Sequence, residues 1–378
     1  FNLAIANTHF SFPGTVNQLT VYTKNPIKNA LLTGTDTSKA FLQLVFKNKQ
    51  GNWLSSLPLS IIPNSSGSTP TAIQYQSQRM TLPNIHLSGW PNYIAMGSVA
   101  TFSNTQIIKQ RGDADAIFKY AGNDGGGDNG KDPIKLFYTS AQSVIKTTHL
   151  AQSLSTPKKP VIPIMVVYTT NASGGDQTEA ENQVTNLSLL TKHLAYLAIT
   201  ATYLDSHPDT YGRYGSLVIN PDTYGEGSKD GYYKNVVPPI NAGLKAMLTY
   251  LSSNNNPTTQ TPFITSALKN QLNKTVDQLF PADATTNFKT YNQALNWVMH
   301  VFGPKVTYGF ADNVWAGDNS GHAWLHKAYS NPTSIHQHIQ TEASYLIDNG
   351  VYGNPPPYQN PSYIAFDKYE RNTFVYPV

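Results

Sequence analysis

From residue 115 onward, short apolar runs alternate with stretches of helical spacing, and this alternation constrains the fold more than any other feature of the chain. Val161-Ile-Pro-Ile-Met-Val-Val-Tyr168 is the clearest strand, and it ends in the polar loop 169–176. Leu187, Leu190, Leu194, Leu197 and Ala201 then recur at helical intervals over 185–204, and Ser216–Ile219 returns to a short buried-strand pattern. Strand, loop, helix and strand in that order specify parallel βαβ units. Further strands read at 115–121, 305–315 and 363–367, with helices at 140–154, 237–251 and 333–349. The polar run 252–259 precedes two helical patterns, 266–279 and 291–301, so 252–300 reads as a helical insertion.

These strands number five, against the eight of a closed (β/α) barrel. The expectation for 106–378 is therefore an α/β, TIM-barrel-like domain that is incomplete or distorted, or one whose remaining strands lie beyond residue 378. Residues 1–105 have a different texture. Runs such as Leu19–Tyr22, Ala40–Phe46 and Tyr93–Met96 are separated by Asn, Gly, Ser and Pro clusters, with no helical pattern between them. They predict an N-terminal β-sandwich, Ig-like or carbohydrate-binding-like, in which Trp53 and Trp90 are either core residues or sugar-stacking ones.

Composition narrows the function classes. In 378 residues, 39% are hydrophobic and 11% aromatic, enough for a core, while only 13% are charged. The net charge of +4 comes without a Lys/Arg run, which argues against nucleic acid as a partner. There is no cysteine, so disulfides, thiolate nucleophiles and cysteine zinc sites are excluded. No apolar run approaches the roughly 18–20 residues that span a bilayer. The chain opens on Phe1, as a trimmed product would. The whole is the profile of a secreted, loop-rich bacterial protein, expected to be a monomer away from membranes.

The candidate chemistry sits at the strand ends. Past Ser216–Ile219, Pro221 breaks the ladder, and Asp222, Tyr224 and Glu226 follow at once. The other strand ends deliver Lys119, Tyr120, Asp124 and Asp128; Tyr168, Asn171 and Asp176; Asp312, Asn313, Trp315 and Asp318; and Asp367, Tyr369 and Glu370. Carboxylates interleaved with Tyr and Trp at the carboxyl ends of parallel strands suit a sugar polymer. The rings stack on sugar faces, and one protonated and one ionised carboxyl act at the glycosidic bond. The preferred catalytic residues are Asp222, Glu226, Asp367 and Glu370. Lys119, Tyr120, Asp124, Tyr168, Asp176, Tyr224, Asp312 and Trp315 are the expected substrate contacts. For Asp222 the alternative role is a cap on the next helix or turn.

Ile164-Met-Val-Val-Tyr168, a polar loop, a long helix and Leu217-Val-Ile-Asn-Pro-Asp-Thr223 together resemble the family six glycoside hydrolases, the cellobiohydrolases and endoglucanases. The resemblance covers about 60 residues. It implies a barrel that hydrolyses a β-glucan-like polymer, and it matches Asp222 to a substrate-site aspartate. Where that family has an acid soon after the tyrosine, this chain has Thr169, Thr170 and Asn171, with Asp176 farther on; where the family has Glu, it has Asn220. The Asp-x-x-Asp-x-Asp-x-Glu run of family eighteen chitinases is absent.

No cofactor or metal is assigned. Asp124-Gly-Gly-Gly-Asp-Asn-Gly-Lys-Asp132 offers oxygens to a hard cation, but it lacks the EF-hand spacing and its final Glu, and it reads equally as a substrate loop. His322/His326 and His336/His338 lack a zinc-protease pattern. The expected function is a glycoside hydrolase acting on a polysaccharide or oligosaccharide. The alternative is a non-catalytic carbohydrate-binding or adhesion protein on the same scaffold.

Overall fold

The computed structural model of the chain describes residues 2–5, 8–11, 20–21, 41–47, 53–60, 73–74, 87, 89–91, 95–99, 114–122, 131–135, 141–154, 160–172, 176–208, 212–256, 259–313 and 332–367. The chain divides into two compact units, Phe1–Ile85 and His86–Val378. In the first lie β1 (Asn2–Ile5), β2 (Thr8–Ser11), β3 (Thr20–Val21), β4 (Phe41–Lys47), β5 (Trp53–Ser60) and β6 (Ile73–Gln74). They pair antiparallel as β1–β2, β3–β6 and β4–β5. The strand character expected there is present, but among the described residues it takes the form of three two-stranded ladders rather than two packed sheets.

In the second unit β7 (Gly97–Val99) and β8 (Ala116–Gly122) precede α1 (Ala141–Leu154) and β9 (Ile162–Tyr168). Helices α2 (Gln177–Thr185) and α3 (Leu187–Ser206) lead to β10 (Ser216–Ile219). Then come α4 (Thr223–Asp230), α5 (Ile240–Ser253), α6 (Ser266–Leu279), α7 (Phe288–Phe302), β11 (Thr307–Asn313), α8 (Pro332–Asp348) and β12 (Tyr363–Asp367). Strands β7 to β12 form one curled six-stranded sheet, parallel throughout and in sequence order. Sequential order without reversal winds the strands as a barrel does. The architecture is a half-barrel of α/β type.

Register fixes which side chains share a face. Met165, Leu217 and Tyr308 are aligned across β9, β10 and β11, as are Val167, Ile219 and Phe310. Both rows belong to the apolar core with α3, α5 and α7. Helix α3 is apolar nearly all round because it is covered on both sides, by the sheet layer and by α5 and α7. Its Leu190, Leu194, Leu197 and Leu204 are fully buried, each contributing roughly 1.5–3 kcal/mol. The helix read at 185–204 is α3, and the short polar α2 that precedes it was not read as a helix. Asn186 ends α2, and its side chain accepts from Ser188 N and Leu189 N to start α3. Helix α7, read as part of an insertion, instead packs on α3 as a core helix of the crossover into β11.

The expected first module reached residue 105, yet β7 joins the parallel sheet. Met96 N donates to Asp115 Oδ2 at 2.9 Å and Asp115 N donates to Met96 O at 2.7 Å, clamping the edge strand to the start of β8. Trp90 likewise belongs to the larger unit. Its Nε1 donates to Thr307 Oγ1 at 3.0 Å and its ring meets Tyr363 edge-on at 5.9 Å. Tyr363 lies across Gly309, its register partner on β11, and reaches β10, where its hydroxyl is 2.7 Å from Ser216 Oγ and 2.8 Å from Leu217 O. This aromatic and hydroxyl plug closes the amino-terminal end of the inner face. A Cβ on Gly309 would sit 2.5 Å from the Tyr363 ring. Gly309→Ala should therefore cost about 2–3 kcal/mol, measured as a lower midpoint of chemical unfolding. An unchanged midpoint would mean that Tyr363 does not lie across β11.

Candidate active site at the carboxyl ends of the strands

At the opposite end of the sheet, Asn220 joins β9 to β10. It has a left-handed backbone (φ 55°) and is fully buried. Its Oδ1 accepts from Thr169 N at 2.7 Å, Thr169 Oγ1 at 2.9 Å and Thr170 N at 3.4 Å. Thr169 Oγ1 also lies 2.5 Å from the Tyr291 hydroxyl, and Thr170 Oγ1 lies 3.0 Å from that of Tyr233. Beneath them His193, on α3, is pushed down to about 3 by burial and by Lys192, so its ring is neutral where it bonds the Thr169 backbone. Among the described residues the end of β9 is thus an uncharged hydroxyl layer.

The next strand end is acidic. Asp222 also has a left-handed backbone (φ 67°), one position before α4, but its side chain makes no cap bond. Its Oδ1 instead accepts from Asn313 Nδ2 at 2.9 Å, tying the end of β10 to the end of β11. Glu226 follows in the first turn of α4. Burial, a hydrogen bond with Asp230, and the charges of Asp230 and Asp222 push its carboxyl up to about 7, against the pull of Lys229. Lys229 Nζ sits 2.9 Å from Asp230 and 3.8 Å from Glu226. It lowers Asp230, so a protonated Glu226 faces an ionised neighbour. The arrangement holds carboxyls of opposite protonation side by side near neutral pH.

A second acid pair lies on the helix side of β11. Asp312 is 3% exposed and Glu342, from α8, is 6% exposed. Burial and the Glu342 charge push Asp312 up to about 8, while burial pushes Glu342 up to about 7. Among the described residues no ion pair involves either acid. Two carboxyls in this setting share a proton rather than both ionising. Glu342 was not among the sequence candidates. Its signal is an acid on the buried stripe Glu342, Tyr345, Leu346, Asn349, at helical spacing.

The remaining candidates are distributed as follows. Tyr120 is 40% exposed and its ring lies 6.3 Å from that of Tyr168, which is buried. Lys119 alternates with Tyr120 along β8 and so faces the other side of the sheet. Tyr224 lines no open subsite: it is wholly buried and its hydroxyl donates to Asn292 Oδ1 at 2.9 Å. Asp176 caps α2 by accepting from Glu179 N at 2.9 Å. Asp367 ends β12 with Asn313 as register partner, and its side chain lies outside the described residues, as do Asp124, Trp315 and Glu370. Asp132, the last acid of the glycine-rich run, caps a turn through Ile134 N and Lys135 N and accepts from the Tyr250 hydroxyl. Among the described residues no group of three or more His, Asp or Glu could hold a metal ion.

Comparison with family models, curated proteins and solved structures finds no match to the chain.

The Asp312–Glu342 pair sets a pH dependence of stability. Folding raises both carboxyls above their ordinary range, so the folded state binds more protons than the unfolded chain between about pH 4 and 8. Stability should fall as pH rises through that window, by up to about 1.4 kcal/mol per pH unit for each extra proton. Thermal unfolding from pH 5 to 9 reads this directly. Asp312→Asn should flatten the decline, and an undiminished slope would remove the pair as its source.

Proposed function

We propose that the larger unit hydrolyses glycosidic bonds of a polysaccharide or oligosaccharide, with Glu226 as general acid and Asp222 as the ionised carboxylate. The supporting observation is the contrast between these two neighbours: Asp222 receives the Asn313 amide, while Glu226 is pushed up to about 7. One group is then ready to donate a proton to a leaving oxygen, and the other to stabilise or attack the positive centre that develops. Tyr120, exposed on β8, offers a ring to a sugar face. In this reading Asp312 and Glu342 hold α8 over the carboxyl end of β11 and do not touch substrate. The strand pairs of the smaller unit serve as an accessory carbohydrate module, and the protein is secreted. The local resemblance to family six glycoside hydrolases supports the same reaction class.

A second reading is favoured by one observation. The end of β9, where that family carries its acid, is a closed set of hydroxyl and amide bonds around Asn220. A scaffold that binds sugar without cleaving it would have this appearance.

Reducing-sugar release from β-glucans, chitin and acidic polysaccharides separates the two. Asp222→Asn and Glu226→Gln should each lower kcat at least 100-fold in folded protein. Wild-type kcat should fall about tenfold per pH unit above pH 7, as Glu226 loses its proton. Polymer binding without release at any pH would refute the hydrolase, and full activity in both variants would refute the roles of Asp222 and Glu226.

A further inference from the structure

We propose that a cleft between α4, α7 and α8 binds one anionic sugar residue, such as a uronic acid, as a subsite beside Glu226. The cleft holds about 270 Å³, room for a single ring rather than a chain. Its apolar walls are Tyr232, Phe288 and Tyr345, rings that can lie along a pyranose. Gly231, in the left-handed region at φ 75°, leaves its side-chain position open, with nothing within 4 Å.

The charges select the class of sugar. Lys234 and Lys289 stand on the lining, and neither forms an ion pair among the described residues. Lys289 lies in the first turn of α7, a turn without an acidic side chain, so the positive end of that helix adds to the two ammonium groups. The opposing charge on the lining is Asp348, in the last turn of α8, whose helix end is also negative. Two ammonium groups and a helix amino terminus outweigh one carboxylate and a helix carboxyl terminus, so a carboxylate-bearing ligand is favoured over a neutral one.

The position of the cleft ties it to the proposed chemistry, and the assignment of a substrate class rests on that proposal. Tyr232, on the lining, feels both: burial, then the charges of Glu226 and Asp230, act on its hydroxyl. The Tyr345 hydroxyl packs on Gly227 in the middle of α4. A sugar ring in the cleft thus lies against α4, the helix that carries Glu226. The substrate inferred is a polysaccharide with acidic residues.

The test is binding, measured by calorimetry and ligand-observed NMR on the full chain with methyl glucuronide, methyl glucoside and inorganic phosphate. Wild type should bind the glucuronide at least fivefold tighter than either other probe. Lys234→Ala and Lys289→Ala should each weaken it about two- to fivefold and together abolish the preference over glucoside. Asp348→Asn should act in the opposite direction, tightening glucuronide about two- to fivefold. All three substituted residues are exposed, and circular dichroism checks that the variants stay folded. Equal affinity for glucuronide and glucoside, no binding of any probe, phosphate as tight as glucuronide, or a preference that survives the double lysine variant would each overturn the proposal. The two readings fail separately. Polymer hydrolysis without a charge preference removes only the acidic subsite, and a charge preference without hydrolysis removes only the enzyme.

Discussion

One buried side chain, Asn220, holds the carboxyl end of the sheet together. Its Oδ1 accepts three hydrogen bonds from Thr169 and Thr170, so the last residues of β9 cannot move independently of the turn after β10. In a site fully removed from water, losing that acceptor would strand the donors at about 1–3 kcal/mol each. The left-handed backbone at Asn220 and again at Asp222 folds the chain back over the strand ends. That turn is what brings Asp222 to Asn313. The sheet aligns the strands, but this amide sets where the acidic groups begin.

Around that fixed point the unit separates charge by depth. The end of β9 is neutral, with hydroxyls, an amide and a deprotonated imidazole. The ends of β10 and β11 carry the acids, and among the described residues few cations answer them: Lys229 reaches Glu226 and Asp230, but no ion pair reaches Asp312 or Glu342. Low charge compensation raises proton affinity, and raised proton affinity is what a general acid requires. The same feature makes the fold more stable in acid than in alkali.

Much of the larger unit was legible along the chain. Ser216–Ile219 and Tyr363–Asp367 are strands at the residues where β-branched and aromatic runs place them, and the leucine spacing of α3 gives its buried character. Strand β7 was not legible, because three residues carry no period; Asp115, far along the chain, decides that Met96 and its successors pair there. Helix α2 was hidden for a related reason, since its nine residues, QTEAENQVT, carry too few apolar positions to show a helical period.

What the sequence determined by itself is the class: parallel βαβ winding from local period, and a cluster of acids after β10 from residue order. The tertiary structure decided which acids act together. Asp222 meets Asn313 from 91 positions away, and Asp312 meets Glu342 only because α8 docks over β11. It also decided that Tyr224 is core and Asp176 a cap. The physical reason is that a carboxyl's role depends on its desolvation and its neighbours. Both are set by contacts between distant segments, and neither leaves a period in the local sequence.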